Sequence, residues 1–282
     1  MAISTPRILM AGCGKLGTAI ARELTDEARV FGLRRHPDDL PGPIIPFAAN
    51  LQEPTTLTGL PPDLSVVVYC LTPDAYTDEG YRDAFVNGLR NLLEALSDAR
   101  EQPALLFVSS TGVYHQDDDS VVDETSETRP ERFSGQRVLE GEQQALDSGL
   151  PATVVRFSGI YGPSRGRFLE NVRLGQIDPP RPGPYTNRIH EDDAARAAAH
   201  LVRQRLAGAD VDGRFLASDD EPARLDAVVD WVRQQTHCAD PAPDAKRGGR
   251  AGSKRCDNRR LRQSGFTFRY PSFRDGYQAM LG

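Results

Sequence analysis

Length, composition and charge already exclude several classes of protein. The chain has 282 residues, of which 39% are hydrophobic, so it can bury a sizeable core, and its length allows about two domains. A net charge of −6 argues against nucleic acid as the main partner. No apolar run reaches the roughly 18 residues of a membrane span, and no secretory leader opens the chain, so we expect a cytoplasmic protein without membrane segments.

The first predicted element is an apolar strand, residues 7–11, that runs into a glycine-rich turn and a helix over residues 15–24. Gly12 permits the tight turn, Gly14 lets a pyrophosphate approach the backbone, and Gly17 lets the helix lie close to the strand. The helix points its free N–H groups and positive dipole end at that pyrophosphate. The flanking strand and helix favour a dinucleotide site over an ordinary structural turn. Its predicted residues are Gly12, Cys13, Gly14, Lys15, Leu16 and Gly17.

The second strand, residues 30–33, is followed by Arg34 and Arg35. In a dinucleotide-binding unit, an acidic residue about 20 positions past the glycines accepts the ribose 2′-hydroxyl, whereas arginine suits a 2′-phosphate. Guanidinium groups pair with phosphate oxygens through two parallel hydrogen bonds, so the sequence predicts NADP(H) rather than NAD(H). The alternative is a pair of solvated arginines at a strand end. Asp38 and Asp39 are expected to lie beyond the ribose.

Two further strands predict more of the nucleotide site. A short strand over residues 44–47 leads to Asn50 and Leu51, which are expected to contact the adenine. The strand over residues 66–70 is continuously apolar, as expected where both faces of a parallel sheet are covered. It ends at the carboxyl edge of the sheet, where ligands of open α/β sheets bind. The predicted contacts there are Cys70, Leu71 and Thr72.

Apolar residues at helical spacing predict a crossover helix over residues 78–99, and a fifth strand, residues 105–108, delivers Ser109 and Ser110 to the same edge. The alternation predicts an α/β fold with a Rossmann-type doubly wound parallel sheet. The later segments have loops rich in proline and glycine and only short helices, which we interpret as a small lid. The predicted NADP-binding domain comprises residues 1–162 and 189–217, and the small substrate-binding domain comprises residues 163–188 and 218–282.

Several motifs follow one another over most of the chain. They are residues 12–17 (GCGKLG), 87–95 (NGLRNLLEA), 109–114 (SSTGVY), 122–124 (VDE), Arg156, 160–163 (IYGP), 187–190 (NRIH), Asp192, Asp193 and 219–222 (DDEP). In this order they resemble the extended short-chain dehydrogenase/reductase family, in particular its atypical, epimerase/dehydratase-like branch. The resemblance implies a small C-terminal substrate-binding domain and a hydride exchanged between nicotinamide and a carbonyl or alcohol carbon.

In this family a serine or threonine after the fifth strand binds the substrate oxygen, and a tyrosine four residues before a lysine exchanges the proton. Ser110 matches the first role. The second pair is missing, because the family's tyrosine falls at Ser134 and its lysine at Val138. Ser134 could relay a proton through water. Other substitutes, each with a packed or solvated side chain as the alternative, are Tyr114, Tyr76, Tyr81, Asp74 and His115.

Two hypotheses remain open. The first is an NADP(H)-dependent oxidoreductase or epimerase acting on a small polar, sugar-nucleotide-like carbonyl or alcohol compound, with Ser110 orienting the oxygen. The second is an NADP(H)-binding sensor that kept the cofactor site and lost the proton relay. In both, Ser109 and Tyr161 are further predicted cofactor contacts. Many members of the family form dimers through paired crossover helices, so the resemblance is compatible with a homodimer.

Other features are weaker. His190 with the following acids could hold a metal, but acids at the start of a helix over residues 192–204 fit a helix cap better, and no metal is expected. The four cysteines lack metal spacing and are expected to be free thiols. Basic residues cluster over residues 246–262. They predict either a solvated flexible loop or a site where Lys254 or Arg255 binds an anionic substrate group.

Overall fold

The structure is a computed structural model that describes residues 5–97, 99–248 and 252–281. Its strands are β1 (Arg7–Ala11), β2 (Arg29–Arg34), β3 (Ile45–Ala48), β4 (Val66–Tyr69), β5 (Ala104–Ser110), β6 (Ser120–Val122), β7 (Ala152–Phe157), β8 (Gly159–Tyr161), β9 (Tyr185–Thr186), β10 (Arg188–His190), β11 (Gly213–Ala217), β12 (Ala223–Arg224) and β13 (Lys254–Cys256). Its helices are α1 (Lys15–Leu24), α2 (Asp78–Arg82), α3 (Gly88–Leu96), α4 (Phe133–Leu146), α5 (Arg167–Arg173), α6 (Glu191–Leu206), α7 (Leu225–Gln235), α8 (Arg259–Gln263) and α9 (Phe273–Leu281).

The central sheet has seven strands in the order β11-β7-β5-β4-β1-β2-β3. β1 pairs in parallel with β2 on one side and with β4 on the other, and β5 pairs in parallel with β4. The strand order reverses between β1 and β4, so the loops that follow them leave a crevice at the carboxyl edge. Both faces of β4 are buried, as expected for a parallel sheet that is covered by helices on each side. The predicted doubly wound parallel sheet is confirmed.

The prediction of one continuous crossover helix over residues 78–99 is wrong, because a π-helical turn divides the segment into two α-helices. Thr77 caps α2, a π-helical turn then spans Asp83–Asn87, and α3 follows. The Tyr69 hydroxyl at the end of β4 donates to the Ala84 carbonyl over 2.6 Å. A side-chain donor from the sheet therefore occupies a carbonyl that a backbone N–H of the helix would otherwise use, at the place where the turn widens. Hydrophobic periodicity within the helix carries no information on that donor.

The chain forms two compact units. The first contains the residues up to Val113, Pro130–Arg156 and Ala195–Phe215, and the second contains Tyr114–Arg129, Phe157–Ala194 and Leu216–Gly282. The predicted boundaries assign residues 114–129 to the nucleotide-binding domain, whereas the structure groups them with the second unit. The physical reason is that β6 pairs in parallel with β13, so this segment is bonded to the C-terminal part of the chain.

The second unit has a core of its own. Its short strands pair as β8 with β10, β9 with β12, and β6 with β13. The apolar faces of α5, α7 and α9 bury Val172, Val228 and Phe273 in one cluster. The helices predicted over residues 225–232 and 277–281 correspond to α7 and α9, which are both longer. No helix in the described part of the chain has the length and apolar character needed to cross a membrane.

Candidate functional site

A cavity of about 270 Å³ opens in the first unit at the carboxyl ends of β1, β2 and β4. The predicted cofactor residues in its wall are Gly12, Cys13, Gly14, Arg34, Arg35, Asn50, Leu51, Cys70, Leu71 and Thr72. The rest of the wall is Leu33, Ala49, Gln52, Asp74, Gly80, Asp83 and Ala84. The predicted contacts that do not line this cavity are Lys15, Leu16, Gly17, Ser109 and Tyr161. The fold thus brings together four loops that are separate in sequence.

The glycine turn after β1 forms one side of the cavity. Gly12 has a φ of +96°, which L side chains rarely adopt, and a Cβ there would collide with the backbone after β4. The N–H groups of Gly12 and Cys13 both donate to the Leu33 carbonyl over 3.1 Å, which fixes the turn against β2. A Cβ on Gly17 would collide with the Gly12 carbonyl oxygen, whereas a Cβ on Gly14 would meet nothing within 4 Å. The fold therefore requires glycine at positions 12 and 17. At position 14 the fold has room for a side chain, and the space is open to a ligand.

The described cysteines are all free thiols, as the sequence predicted. Cys13 lies in the glycine turn and is fully buried, and this burial raises the pKa of its thiol. Burial also raises the pKa of Cys256 to about 12. Neither side chain is a thiolate at neutral pH, so neither is a nucleophile.

Two arginine–carboxylate pairs stand in or beside the cavity wall. Arg35 donates from Nη1 to Oδ2 of Asp74 over 2.7 Å and from Nη2 to Oδ1 over 2.8 Å. Arg34 forms an ion pair with Asp39, which was expected beyond the ribose, and its Nη1 lies 3.5 Å from the Cys13 carbonyl oxygen. The Arg35 and Asp74 side chains are 55% and 71% exposed, so a ligand can reach this pair. Exposed pairs contribute only about 0–1 kcal/mol to stability.

The end of β5 carries two serines in different surroundings. The Ser109 hydroxyl is buried and donates to the carboxylate of Glu142 on α4. Ser110 is exposed, and its Oγ accepts a hydrogen bond from the Gly112 N–H over 3.1 Å. Ser110 is therefore accessible to a ligand with its hydroxyl already oriented, while Ser109 is held inside the unit.

Glu142 is also the acidic half of a buried ion pair that the sequence reasoning missed. Arg156 on β7 donates to it from Nε over 2.9 Å and from Nη2 over 2.6 Å, and the two side chains are 2% and 0% exposed respectively. Buried charges persist only when they are paired in this way. The available signal was an acidic residue within the buried stripe of α4, which includes Val138 and Ala145.

The start of α4 carries the two positions that the resemblance assigns to the missing proton relay. Ser134 lies in the first turn, and a Cβ on the adjacent Gly135 would lie 2.6 Å from the Gly112 carbonyl oxygen. Ser134 is therefore close in space to the loop that follows Ser110. Val138, one turn later, is apolar and buried, so it supplies no positive charge.

Two predicted tyrosines lie in the second unit and are packed there. Tyr114 is buried, and its hydroxyl donates to the Asp123 carbonyl over 2.7 Å, which favours the packing alternative over a catalytic role. Tyr161 is buried against Tyr277, with ring centroids 4.6 Å apart. Burial raises the pKa of Tyr161 well above its usual range. Both side chains are therefore parts of a packed interior.

His190 belongs to a helix cap. Its Nδ1 accepts a hydrogen bond from the Asp192 N–H over 3.2 Å at the start of α6. The buried Asp193 carboxylate accepts from the backbone N–H groups of Arg269 and Tyr270, over 2.9 and 2.7 Å. The imidazole of His190 therefore caps the start of α6, while Asp193 ties this helix start to residues 269 and 270 rather than capping it.

Only part of the basic stretch 246–262 is a solvated loop. For Lys254, the interpretation as a solvated loop residue is wrong. This residue lies on β13, its side chain is buried, and that burial lowers the pKa of its ammonium group. Arg255 is exposed, donates from Nε to the Asp119 carbonyl over 3.0 Å and lies over the Tyr185 ring. Parallel pairing of β13 with β6 orders this part. Arg250 lies outside the described residues.

Comparison with known proteins identifies the family. The family profile described as the RmlD substrate binding domain matches residues 6–176, more than half of the chain. A solved structure from Methylobacillus flagellatus, assigned as an NAD-dependent epimerase/dehydratase, is 36% identical, covers 99% of this chain and 98% of its own, and has a TM-score of 0.82. A search of curated proteins found no significant match.

Two more distant structures share the fold. A UDP-glucose 4-epimerase of Thermus thermophilus, solved in complex with NAD, is 19% identical over 98% of this chain and 97% of its own, with a TM-score of 0.76. A dTDP-glucose 4,6-dehydratase of Streptomyces venezuelae, solved with NAD and TYD bound, is 17% identical over 98% and 95%, also with a TM-score of 0.76. At these identities the likeness concerns the fold alone. The profile match and the 36% identical relative show that this chain belongs to the extended short-chain dehydrogenase/reductase family, in its branch of NAD-dependent epimerases and dehydratases.

Proposed function

We propose that the cavity of the first unit binds NADP(H) and that the protein is an oxidoreductase or epimerase acting on a sugar-nucleotide-like carbonyl or alcohol compound. One observation carries the proposal: a single cavity is lined both by the Gly14 backbone, beside which there is unfilled space, and by Arg34 and Arg35. The start of α1 would hold the pyrophosphate, because the first N–H groups of a helix lack acceptors within it and the dipole is positive there. Asn50 and Leu51 would contact the adenine.

The two arginines favour the phosphorylated coenzyme. An exposed ion pair such as Arg35–Asp74 contributes about 0–1 kcal/mol, whereas a hydrogen bond to a charged group contributes about 1.5–3 kcal/mol. A 2′-phosphate can therefore replace Asp39 and Asp74 at the guanidinium groups with a net gain in binding. The distant relatives named above were solved with NAD, so the preference rests on Arg34 and Arg35 in this chain.

Ser110 is the residue that we assign to the substrate oxygen. When bound, the nicotinamide accepts or donates a hydride at the substrate carbon. The Ser110 hydroxyl is exposed, and because its Oγ accepts from the Gly112 N–H, its proton is available to donate to a substrate oxygen. Behind it, the bonds from Ser109 and Arg156 to Glu142 hold the end of β5 in place. The sugar nucleotides in the names of the distant relatives support this substrate class.

A second function is favoured by one specific observation, the buried valine at position 138. A lysine at this position of the family lowers the pKa of the catalytic phenol, and an apolar side chain cannot do so. Loss of a positioned acid or base lowers a rate by about 10² to 10⁴-fold. The second candidate is therefore a protein that binds NADP(H) and reports the redox state of the coenzyme without appreciable turnover.

Calorimetric titration of NADPH and NADH into the wild-type protein and into Arg34→Ala and Arg35→Ala variants tests the coenzyme assignment. We expect NADPH to bind more tightly, and each substitution to weaken NADPH by about 10- to 100-fold, the equivalent of one lost charge-assisted hydrogen bond, with NADH unaffected. Equal affinities, or a preference for NADH that neither substitution changes, would contradict the 2′-phosphate assignment. Failure to bind either coenzyme would reject both functions.

Turnover separates the two functions. We expect the wild-type protein to reduce NADP⁺ or to rearrange the sugar when it is given UDP-glucose or dTDP-glucose, and Ser110→Ala to abolish that reaction with NADPH affinity retained. Tight coenzyme binding with no turnover of either compound would favour the sensor.

A further inference from the structure

Tyr76 stands on the loop between β4 and α2, directly before the capped start of α2. Two positions earlier lies Asp74, whose exposed pair with Arg35 a bound 2′-phosphate would displace. On the other side of Tyr76, Thr77 caps α2 by accepting a hydrogen bond from the Gly80 N–H over 3.1 Å. The Tyr76 side chain is 56% exposed. The fold therefore presents an accessible phenol beside a capped helix start.

Aromatic contacts also restrain the ring itself. The ring centroids of Tyr76 and Phe133 are 5.2 Å apart, and those of Tyr76 and Tyr81 are 5.6 Å apart in an edge-to-face arrangement. Tyr81 contacts Phe133 and Phe85 in turn, each with centroids 5.6 Å apart. Offset and edge-to-face aromatic pairs of this kind are attractive contacts. Because the ring is already ordered, little side-chain entropy is lost when its hydroxyl meets a ligand.

Phe133 joins this aromatic group to the proton-relay position. It is the residue before Ser134, where the family resemblance implies a tyrosine. The next residue, Gly135, packs against the carbonyl of Gly112, in the loop that orients Ser110. One helix start therefore contacts both the Tyr76 ring and the loop of Ser110.

The same loop borders the cavity. Asp74 and Gly80, on either side of Tyr76 in the chain, both line the cavity wall. At the start of α2, the Asp78 carboxylate accepts hydrogen bonds from Arg137 of α4, over 2.8 and 2.9 Å. These bonds connect α4 to the start of α2. Tyr76 thus lies on the segment between the proposed coenzyme site and the start of α4.

We propose that Tyr76 supplies the phenol that position 134 lacks and exchanges the proton of the substrate oxygen. This rests on the proposed function as an NADP(H)-dependent enzyme. In the oxidative direction, with NADP⁺ bound, the alcohol carbon of the substrate would lose a hydride to the coenzyme while its hydroxyl proton passed to the Tyr76 oxygen, whose own proton would go to water, and a carbon–oxygen double bond would form. In the reductive direction, with NADPH bound as the hydride donor, the Tyr76 phenol would give its proton to the substrate oxygen and recover one from water. A phenol is suited to this exchange because it both donates and accepts, and it is a stronger acid than the hydroxyl of Ser134.

Turnover of UDP-glucose and dTDP-glucose with saturating NADP⁺ tests the proposal, measured from the absorbance of reduced nicotinamide and from chromatography of the sugar nucleotides. We expect Tyr76→Phe, which keeps the ring and its packing, to lower kcat by about 10² to 10⁴-fold with calorimetric NADPH affinity unchanged. Tyr81→Phe removes a hydroxyl from the same aromatic group. Its loss is expected to be at least about tenfold smaller, since that phenol is not the one transferring the proton.

A Tyr76→Phe enzyme that is as fast as the wild type overturns the proposal, and so does a larger loss in Tyr81→Phe or a Tyr76→Phe protein that no longer binds NADPH. If Tyr76→Phe is as fast as the wild type while Ser110→Ala abolishes turnover, the proposed function stands and only the role of Tyr76 fails. A wild-type protein that binds NADPH and converts neither sugar nucleotide overturns both the Tyr76 assignment and the enzymatic function.

Discussion

The Arg35–Asp74 pair and the Arg156–Glu142 pair have the same chemistry in opposite surroundings. In each, two nitrogens of one guanidinium group donate hydrogen bonds to both oxygens of one carboxylate. The side chains of the first pair are 55% and 71% exposed, and those of the second are 2% and 0% exposed. Separating an exposed pair costs about 0–1 kcal/mol, whereas removing one partner of a buried pair costs about 3–5 kcal/mol. The first arginine is thus available to a ligand, and the second is a permanent part of the sheet.

The largest expected effect tests the buried pair. Glu142→Gln leaves Arg156 charged and buried without a carboxylate, so we expect the free energy of unfolding to fall by about 3–5 kcal/mol, measured by urea denaturation. Glu140→Gln is the matched control, because this glutamate lies on the same helix and pairs with Arg137 at the surface. Its effect should stay within about 0.5 kcal/mol, as for other ion pairs on helix surfaces. Similar losses in both variants would contradict the distinction between the two pairs.

Gly14→Ala separates binding from folding in the glycine turn. The added methyl group enters open space beside the cavity, so we expect unchanged thermal stability and an affinity for NADPH and NADH that falls about tenfold or more, as measured by calorimetry. Gly17→Ala should do the reverse and lower the melting temperature, because its Cβ meets the Gly12 carbonyl oxygen. Unchanged coenzyme affinity in Gly14→Ala would show that no pyrophosphate approaches this backbone.

Asp219 extends the comparison to a buried carboxyl group to which no guanidinium of the described residues donates a hydrogen bond. One of its oxygens, Oδ2, has no hydrogen-bond partner among the described residues, and burial raises its pKa well above the ordinary value, against a smaller lowering by Arg188. The native protein then keeps a proton that the unfolded chain releases above about pH 4, so the free energy of unfolding decreases as the pH rises from there towards the native pKa.

Asp219→Asn is expected to remove that decrease, which amounts to about 1.4 kcal/mol for each unit of pKa difference. Urea denaturation of both proteins across the acidic to neutral range measures it. An unchanged pH dependence in the variant would mean that Asp219 is ionised in the native state.

The smallest expected effect concerns the exposed pair. Asp74→Asn frees Arg35, so we expect the affinity for NADPH to rise by up to about fivefold, the equivalent of about 1 kcal/mol, with NADH unaffected. Asp230→Asn is the control, because Asp230 forms a comparable exposed pair with Arg181 in the second unit. A weaker affinity for NADPH in Asp74→Asn would indicate that Asp74 itself contacts the coenzyme.

The elements that could be predicted from the sequence are those whose cause is local. The glycine turn follows from residues 12–17 and their flanking strand and helix, and α1 has its predicted bounds. Arg34, Asn50 and Thr72 were predicted near one ligand because parallel strands end at one edge of the sheet, and all three line the cavity. Their roles towards a coenzyme stay predictions.

Features that depend on distant partners could not be predicted in this way. The π-helical turn depends on the Tyr69 hydroxyl, which comes from a strand. The burial of Lys254 depends on the pairing of β13 with β6, far away in the sequence. A glutamate is ordinarily found at the surface, and only the fold brings Arg156 to the buried Glu142. In each case the decisive group lies outside the window that periodicity and motif spacing examine.

The three-segment construction of the second unit has a consequence for synthesis. Asp119 and Ser253, which bond to one another beside the pairing of β6 with β13, are 134 positions apart in the chain. A nascent polypeptide therefore carries β6 without its partner strand until residues 254–256 have left the ribosome, and closing so long a loop slows the step further.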